Sequence, residues 1–161
     1  MKEANVKALR TGWTTGTCAT AAALAAVHLL VESTALDQVT VSLPKGGTAN
    51  IAIENLFRLT ENQVCASVIK DGGDDIDVTH GLEIKATVRK TEEKGISIKG
   101  GVGVGKVTRA GLSVPVGEWA INPVPREMLI SHLGPYLRDE GGFEVVIEVP
   151  KGQEEIGIAH V

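Results

Sequence analysis

Thr14-Thr15-Gly16-Thr17-Cys18 and Lys70-Asp71-Gly72-Gly73-Asp74-Asp75-Ile76-Asp77-Val78-Thr79-His80-Gly81 place hydroxyls, carboxylates, an imidazole and glycines where ordinary packing needs none. The first run stands directly before an alanine-rich helical stretch. Thr14, Thr15, Gly16 and Thr17 therefore offer hydroxyls and orphan amides at a helix N-terminus, where a carboxylate or other anion is stabilised. In the second run, four aspartates in seven residues exceed what Asx-type turn capping uses. Mutual repulsion raises the pKa of crowded carboxylates, so Asp74 or Asp75 is the expected general base, with His80 behind them. A calcium loop needs a Glu twelve positions from the first ligand, where Leu82 stands, so no metal site is expected. Cys18 with His80 as base would make a nucleophile pair, but a small buried thiol on an alanine helix is the commoner outcome.

Gly100-Gly101-Val102-Gly103-Val104-Gly105 follows the short β-rich run Ile96-Ser97-Ile98. Gly101, Gly103 and Gly105 suit close approach by a cofactor, although the spacing lacks the G-x-G-x-x-G order of a dinucleotide fold and no helix follows. Lys99, Lys106 and Arg109 flank these glycines and could neutralise an acidic ligand. Asn122-Pro123-Val124-Pro125-Arg126 starts a second helical stretch, with Asn122 as its cap. A cation in a first turn gains nothing from the helix dipole, so Arg126 is expected to hold a carboxylate together with the helix amides.

Several elements must position these groups. Small and apolar residues surround the stretch from Thr17 to about Ser33, the mark of a buried helix. Val39 to Leu43, Thr48 to Leu59 and Gln63 to Ile69 read as a three-stranded antiparallel meander, with turns at Pro44-Lys45-Gly46-Gly47 and Glu61-Asn62. Leu82 to Arg89 alternates as a half-buried strand. Met128, Leu129, Leu133 and Leu137 recur at helical spacing from Pro123 to about Glu140, and Phe143 to Val149 reads as the last strand before a polar tail.

The chain of 161 residues has 43% apolar and 22% charged residues, which describes one ordinary globular domain with an aliphatic core. A net charge of −4, with no basic patch interleaved with aromatics, argues against nucleic acid. Cys18 and Cys65 have neither metal-ligand nor disulfide-scaffold spacing, and reduced thiols point to the cytoplasm. Residues 18 to 31 mimic a signal-peptide core. Glu3 in the would-be basic region, the helix-start threonines and a run shorter than the roughly 18 apolar residues of a span argue against export or a membrane.

Arg10-Thr11-Gly12-Trp13-Thr14-Thr15-Gly16-Thr17-Cys18-Ala19, the Lys70 to Gly81 run, Gly103-Val104-Gly105-Lys106-Val107-Thr108-Arg109-Ala110-Gly111-Leu112 and Gly117-Glu118-Trp119-Ala120-Ile121-Asn122-Pro123-Val124-Pro125-Arg126 closely resemble, in this order, the CbiD family. The resemblance covers residues 10 to about 150. It implies an α+β fold like the second domain of ribosomal protein S5, mostly antiparallel with two main helices, over residues 1–150. Residues 151–161 would be a tail or linker toward a second α/β domain that the family carries and this chain lacks. It further implies S-adenosylmethionine-dependent methylation of ring carbon 1 of cobalt-precorrin-5B, giving cobalt-precorrin-6A, with cobalt present only within the corrinoid substrate. Thr14, Thr15, Gly16, Thr17, Arg109, Asn122 and Arg126 would then hold the corrinoid's peripheral carboxylates. The alternative is a non-catalytic corrinoid-binding module that needs a partner or the second domain, and a homo-oligomer is left open.

Overall fold

The computed structural model describes residues 12–71, 81–108, 114–138, 141–151 and 161. Among the described residues, seven strands and two α-helices follow the order α1 (Thr15–Glu32), β1 (Gln38–Ser42), β2 (Thr48–Ala52), β3 (Asn55–Thr60), β4 (Gln63–Ile69), β5 (Glu83–Thr91), β6 (Gly95–Gly100), α2 (Pro123–Leu133) and β7 (Gly142–Glu148). The α+β class expected from the sequence holds. β1 and β2 form a two-stranded hairpin, and the other five form one sheet in the order β3-β4-β5-β7-β6.

The expected three-stranded meander is wrong in two respects: Thr48 to Leu59 is two strands, and they belong to different sheets. The backbone changes partner between Ile53, whose N–H donates to Asp37 O (2.8 Å), and Glu54, whose N–H donates to Ser67 O (2.8 Å). No Gly or Pro marks that switch, so turn chemistry could not reveal it. The second helix also ends earlier than expected, at Leu133, where Gly134-Pro135-Tyr136 tightens into a 3₁₀ turn and the proline stops the α-helical ladder. β6 and β7 pair in parallel. Parallel neighbours need a long crossover, and α2 supplies it.

α1 is buried because it is packed on several sides: against β4 and β5, against α2 and against β1. Its alanines admit this close packing, and the sheet answers with small residues where β4 and β5 meet in register, Ala66 opposite Ala86. Val64, Val88, Val145, Ile84 and Ile147 complete the apolar face beneath it, all fully buried. The helix is 18 residues long and apolar enough to cross a membrane by length and composition, so the length argument drawn from residues 18–31 does not stand. With 72% of that window buried within the fold, α1 packs here as a core helix. The hairpin is tied to α2 by Ser42 N–H donating to His132 Nε2 (3.0 Å), while His132 Nδ1 faces Met128 O (2.7 Å); one neutral tautomer satisfies both.

Candidate functional site

The C-terminal end of β4, the N-terminal end of β5, the C-terminal ends of β6 and β7 and the N-termini of both helices lie at one end of the molecule. α1 begins with Thr14 as N-cap, its Oγ1 accepting the Thr17 N–H (3.0 Å) and its hydroxyl donating to Thr17 Oγ1 (2.9 Å). Thr14 is exposed, Thr15 half-buried, and Gly16 and Thr17 are buried. The Trp13 N–H donates to Asp71 O (2.8 Å), which ties the chain entering α1 to the chain leaving β4. Lys70 N–H donates to Leu82 O (2.9 Å) and Gly81 N–H to Lys70 O (2.7 Å), so both ends of the segment carrying the acidic run are anchored beside α1.

Gly16 explains how the two helices meet. A Cβ there would lie 2.6 Å from Pro125 Cγ, so only glycine lets the first turns of α1 and α2 touch. Asn122 occupies the N-cap position of α2, although its side chain makes no capping hydrogen bond. Arg126 does not point only outward: Nε donates to Ile121 O (2.7 Å) and Nη2 to Trp119 O (3.2 Å). The guanidinium thus binds carbonyls of the strand-like approach to the helix and fixes its start. Val161 is buried and exchanges hydrogen bonds with this same approach, its N–H donating to Ala120 O and its O accepting the Asn122 N–H, both at 2.8 Å.

The glycine-rich segment joins the same end but faces its own chain. Gly103 has φ +80°, and a Cβ there would sit 1.8 Å from Val149 O. Gly101 N–H donates to Ile147 O (2.9 Å), Val102 N–H to Glu148 Oε2 (2.9 Å) and Val104 N–H to Gly101 O (3.1 Å). Gly105 O accepts the Ala120 N–H (2.8 Å), Trp119 packs on Gly100, and Lys106 Nζ lies 4.7 Å from the Trp119 ring centroid. Close backbone packing therefore accounts for Gly103 without a ligand, whereas a Cβ at Gly101 would meet the Glu148 side chain.

Cys18 is wholly buried in the first turns of α1. Burial pushes its thiol up to about 12, while the Lys70 charge lowers it and the Asp71 charge raises it by smaller amounts. A thiol held that high is protonated near neutrality, which removes the nucleophile reading. Asp74, Asp75, His80 and Arg109 lie outside the described residues. Among the described residues no group of His, Cys, Asp and Glu could hold a metal ion. Lys70, quoted in the acidic run but given no role from sequence, is almost completely buried. The period-two column Val64-Ala66-Val68-Lys70 was the signal that could have marked it.

A groove of about 740 Å³ lies at the opposite end of the sheet, lined by Arg89, Lys94, Lys99 and Glu144 among others. It is polar, open and remote from both helix N-termini. The described residues of the four sequence motifs meet at the other end, Trp13 with Asp71, Gly16 with Pro125 and Gly105 with Ala120. Residue chemistry, rather than cavity size, therefore marks the site.

The fold and this convergence define an α+β domain in which two helix N-termini and the stem of an acidic segment share one end of a sheet. The CbiD family model matches residues 2–158, and the chain belongs to the CbiD family. It is 50% identical over 149 residues to a cobalt-precorrin-5B C(1)-methyltransferase of Burkholderia thailandensis, a match that covers 90% of this chain and 41% of the relative. It is 48% identical over 151 residues to the protein of the same name from a Geobacillus strain, covering 92% and 41%. The crystal structure of the cobalamin biosynthesis protein CbiD from Archaeoglobus fulgidus superposes with a TM-score of 0.64 at 30% identity, covering 93% of this chain and 50% of that one. The chain thus spans about two-fifths of the length of these curated relatives.

Proposed function

We propose that this chain takes part in the methylation of ring carbon 1 of cobalt-precorrin-5B, with S-adenosylmethionine as methyl donor and cobalt-precorrin-6A as product. The observation that supports the reading is that the described residues of the four family motifs meet at one end of the fold, in a chain about half identical to proteins named cobalt-precorrin-5B C(1)-methyltransferase.

S-adenosylmethionine supplies an electrophilic methyl group, so the protein's main task is alignment of donor and acceptor at about 3–3.5 Å with water kept out. In the transfer the methyl–sulfur bond breaks as the bond to the ring carbon forms, and S-adenosylhomocysteine leaves. The α1 start at Thr14 to Thr17 suits the carboxylates fringing a corrinoid, because its first-turn amides and dipole favour negative charge; at the α2 start Pro123 and Pro125 have no N–H, so the role assigned to Asn122 and Arg126 there rests on their side chains and the helix dipole. Arg126 steadies the second of these starts. A guanidinium has five N–H donors, so its two backbone bonds leave capacity for a carboxylate. Arg109 is assigned to the same task. Asp74 or Asp75 is assigned as the base that receives the proton leaving the substrate, with His80 supporting it. Gly101, Gly103 and Gly105 are assigned to the approach of the donor, although the packing of Gly103 against the Val149 carbonyl also needs a glycine there by itself.

The short span relative to the relatives favours a second reading, a corrinoid-binding module that needs further sequence for methyl transfer. One experiment separates the two. The purified chain is mixed with cobalt-precorrin-5B and methyl-labelled S-adenosylmethionine, and S-adenosylhomocysteine binding is measured by calorimetry. Labelled corrinoid together with measurable binding supports the enzyme. Corrinoid binding without donor binding supports the module, and neither result sinks both.

A further inference from the structure

Lys99 and Lys106 both flank the glycine segment, and the fold sends their charges to different ends of the molecule. Lys99 Nζ lies 3.0 Å from Glu144 Oε2 in the far groove, where Arg89 shares that carboxylate at 3.3 Å. Lys106 stands exposed at the motif end, and no ion pair among the described residues includes it. Its Nζ lies instead 4.7 Å from the Trp119 ring centroid. That ring is itself held in place. A Cβ on Gly100 would lie 2.6 Å from Trp119 Cε3, so the indole packs directly on the glycine. Lys106 and Trp119 also face each other across an antiparallel bridge, flanked by Val107 N–H donating to Glu118 O and Ala120 N–H donating to Gly105 O, both at 2.8 Å. Backbone and ring together fix where the ammonium stands.

An aromatic face attracts an ammonium through its quadrupole but supplies no negative charge, so the cation stays unneutralised and keeps N–H donors for another acceptor. Trp119 holds a second cation as well, because its carbonyl accepts the Arg126 Nη2–H (3.2 Å). Two positive side chains thus gather on one residue, one on its ring and one on its carbonyl, and no carboxylate among the described residues pairs with either. Like charges brought together repel, and an anion beside them removes that repulsion. We propose that Lys106, held over Trp119, is a further substrate-binding residue: together with Arg126 it takes a peripheral carboxylate of the corrinoid. The inference rests on the functional reading above and adds to it a cation outside the two helix starts.

The test measures binding of cobalt-precorrin-5B to the full chain by calorimetry, at low and at high salt, for wild type, Lys106→Gln and Lys106→Arg. Lys106 is exposed, so neither variant should move Tm. For Lys106→Gln we expect affinity weaker by about five- to tenfold at low salt, and a shallower dependence on salt than the wild type shows, because one charged contact is gone. Lys106→Arg keeps the charge and its contact with the indole, so both measures should stay within about twofold of wild type. Unchanged affinity in Lys106→Gln overturns the inference and leaves the functional reading in place. An equal loss in the two variants, or a loss with the salt dependence of the wild type, also overturns it, since a purely structural lysine would behave in that way. A wild-type chain that binds no cobalt-precorrin-5B fails the functional reading, and the inference falls with it.

Discussion

Cys18 and Glu144 show how position sets the behaviour of a single group. Cys18 sits in a helix first turn, a place that ordinarily favours a thiolate, yet desolvation wins over the dipole and the neighbouring lysine. Native protein at pH 8 should leave Cys18 unlabelled by a thiol reagent, with labelling appearing on denaturation. Labelling of Cys18 as fast as that of a free thiol would contradict the burial argument. At the far end of the sheet, hydrogen bonding from Lys99, opposed by partial burial and reinforced by Arg89, holds the Glu144 carboxyl below its usual range. A lowered carboxyl stabilises the fold fully above its unfolded pKa and loses that contribution as pH falls through the folded value. Denaturant midpoints for wild type and Glu144→Gln should therefore differ at pH 6 and converge as the pH is taken below about 4.

At the scale of elements, the helix junction depends on the absence of one carbon. Gly16→Ala brings a methyl within 2.6 Å of the Pro125 ring, which is not a flexible side-chain tip, so α2 must shift. Overpacking of this kind costs about 1–3 kcal/mol. Gly134 differs: its αR backbone (φ −51°, ψ −43°) leaves open space beyond its chain neighbours, but it precedes Pro135, whose ring disfavours that conformation for a residue with a Cβ, so Gly134→Ala should give no gain in stability. Urea denaturation of the two variants measures both effects. These elements were unequally legible in the sequence. The alternation in β5 and the threonine cap of α1 are local signals, and both were readable. The break at Ile53-Glu54 was not, because the chain changes hydrogen-bond partners there without any residue that favours a turn. The short α2 was obscured because Leu137 continues the apolar spacing past Pro135.

For the whole molecule, one core joins α1, α2, the hairpin and the inner face of the five-stranded sheet, while Val107, Val114 and Ala120 form a small separate cluster. Trp13 and Trp119 both lie at the motif-bearing end and pack against the main core. Thermal unfolding followed by tryptophan emission and by far-UV circular dichroism should therefore give one shared midpoint, as a single cooperative unit requires. An earlier tryptophan transition would show that the motif end unfolds by itself. The chemical residue types, the helix starts, the strand periodicity and the family likeness were set by sequence alone, because each depends on neighbours a few positions apart. Which strand pairs with which, the contact of Gly16 with Pro125, the inward turn of the glycine segment and the burial of Lys70 were decided only in the tertiary structure. Those features depend on groups tens of residues apart in the chain, whose free energies appear only once the core has closed around them.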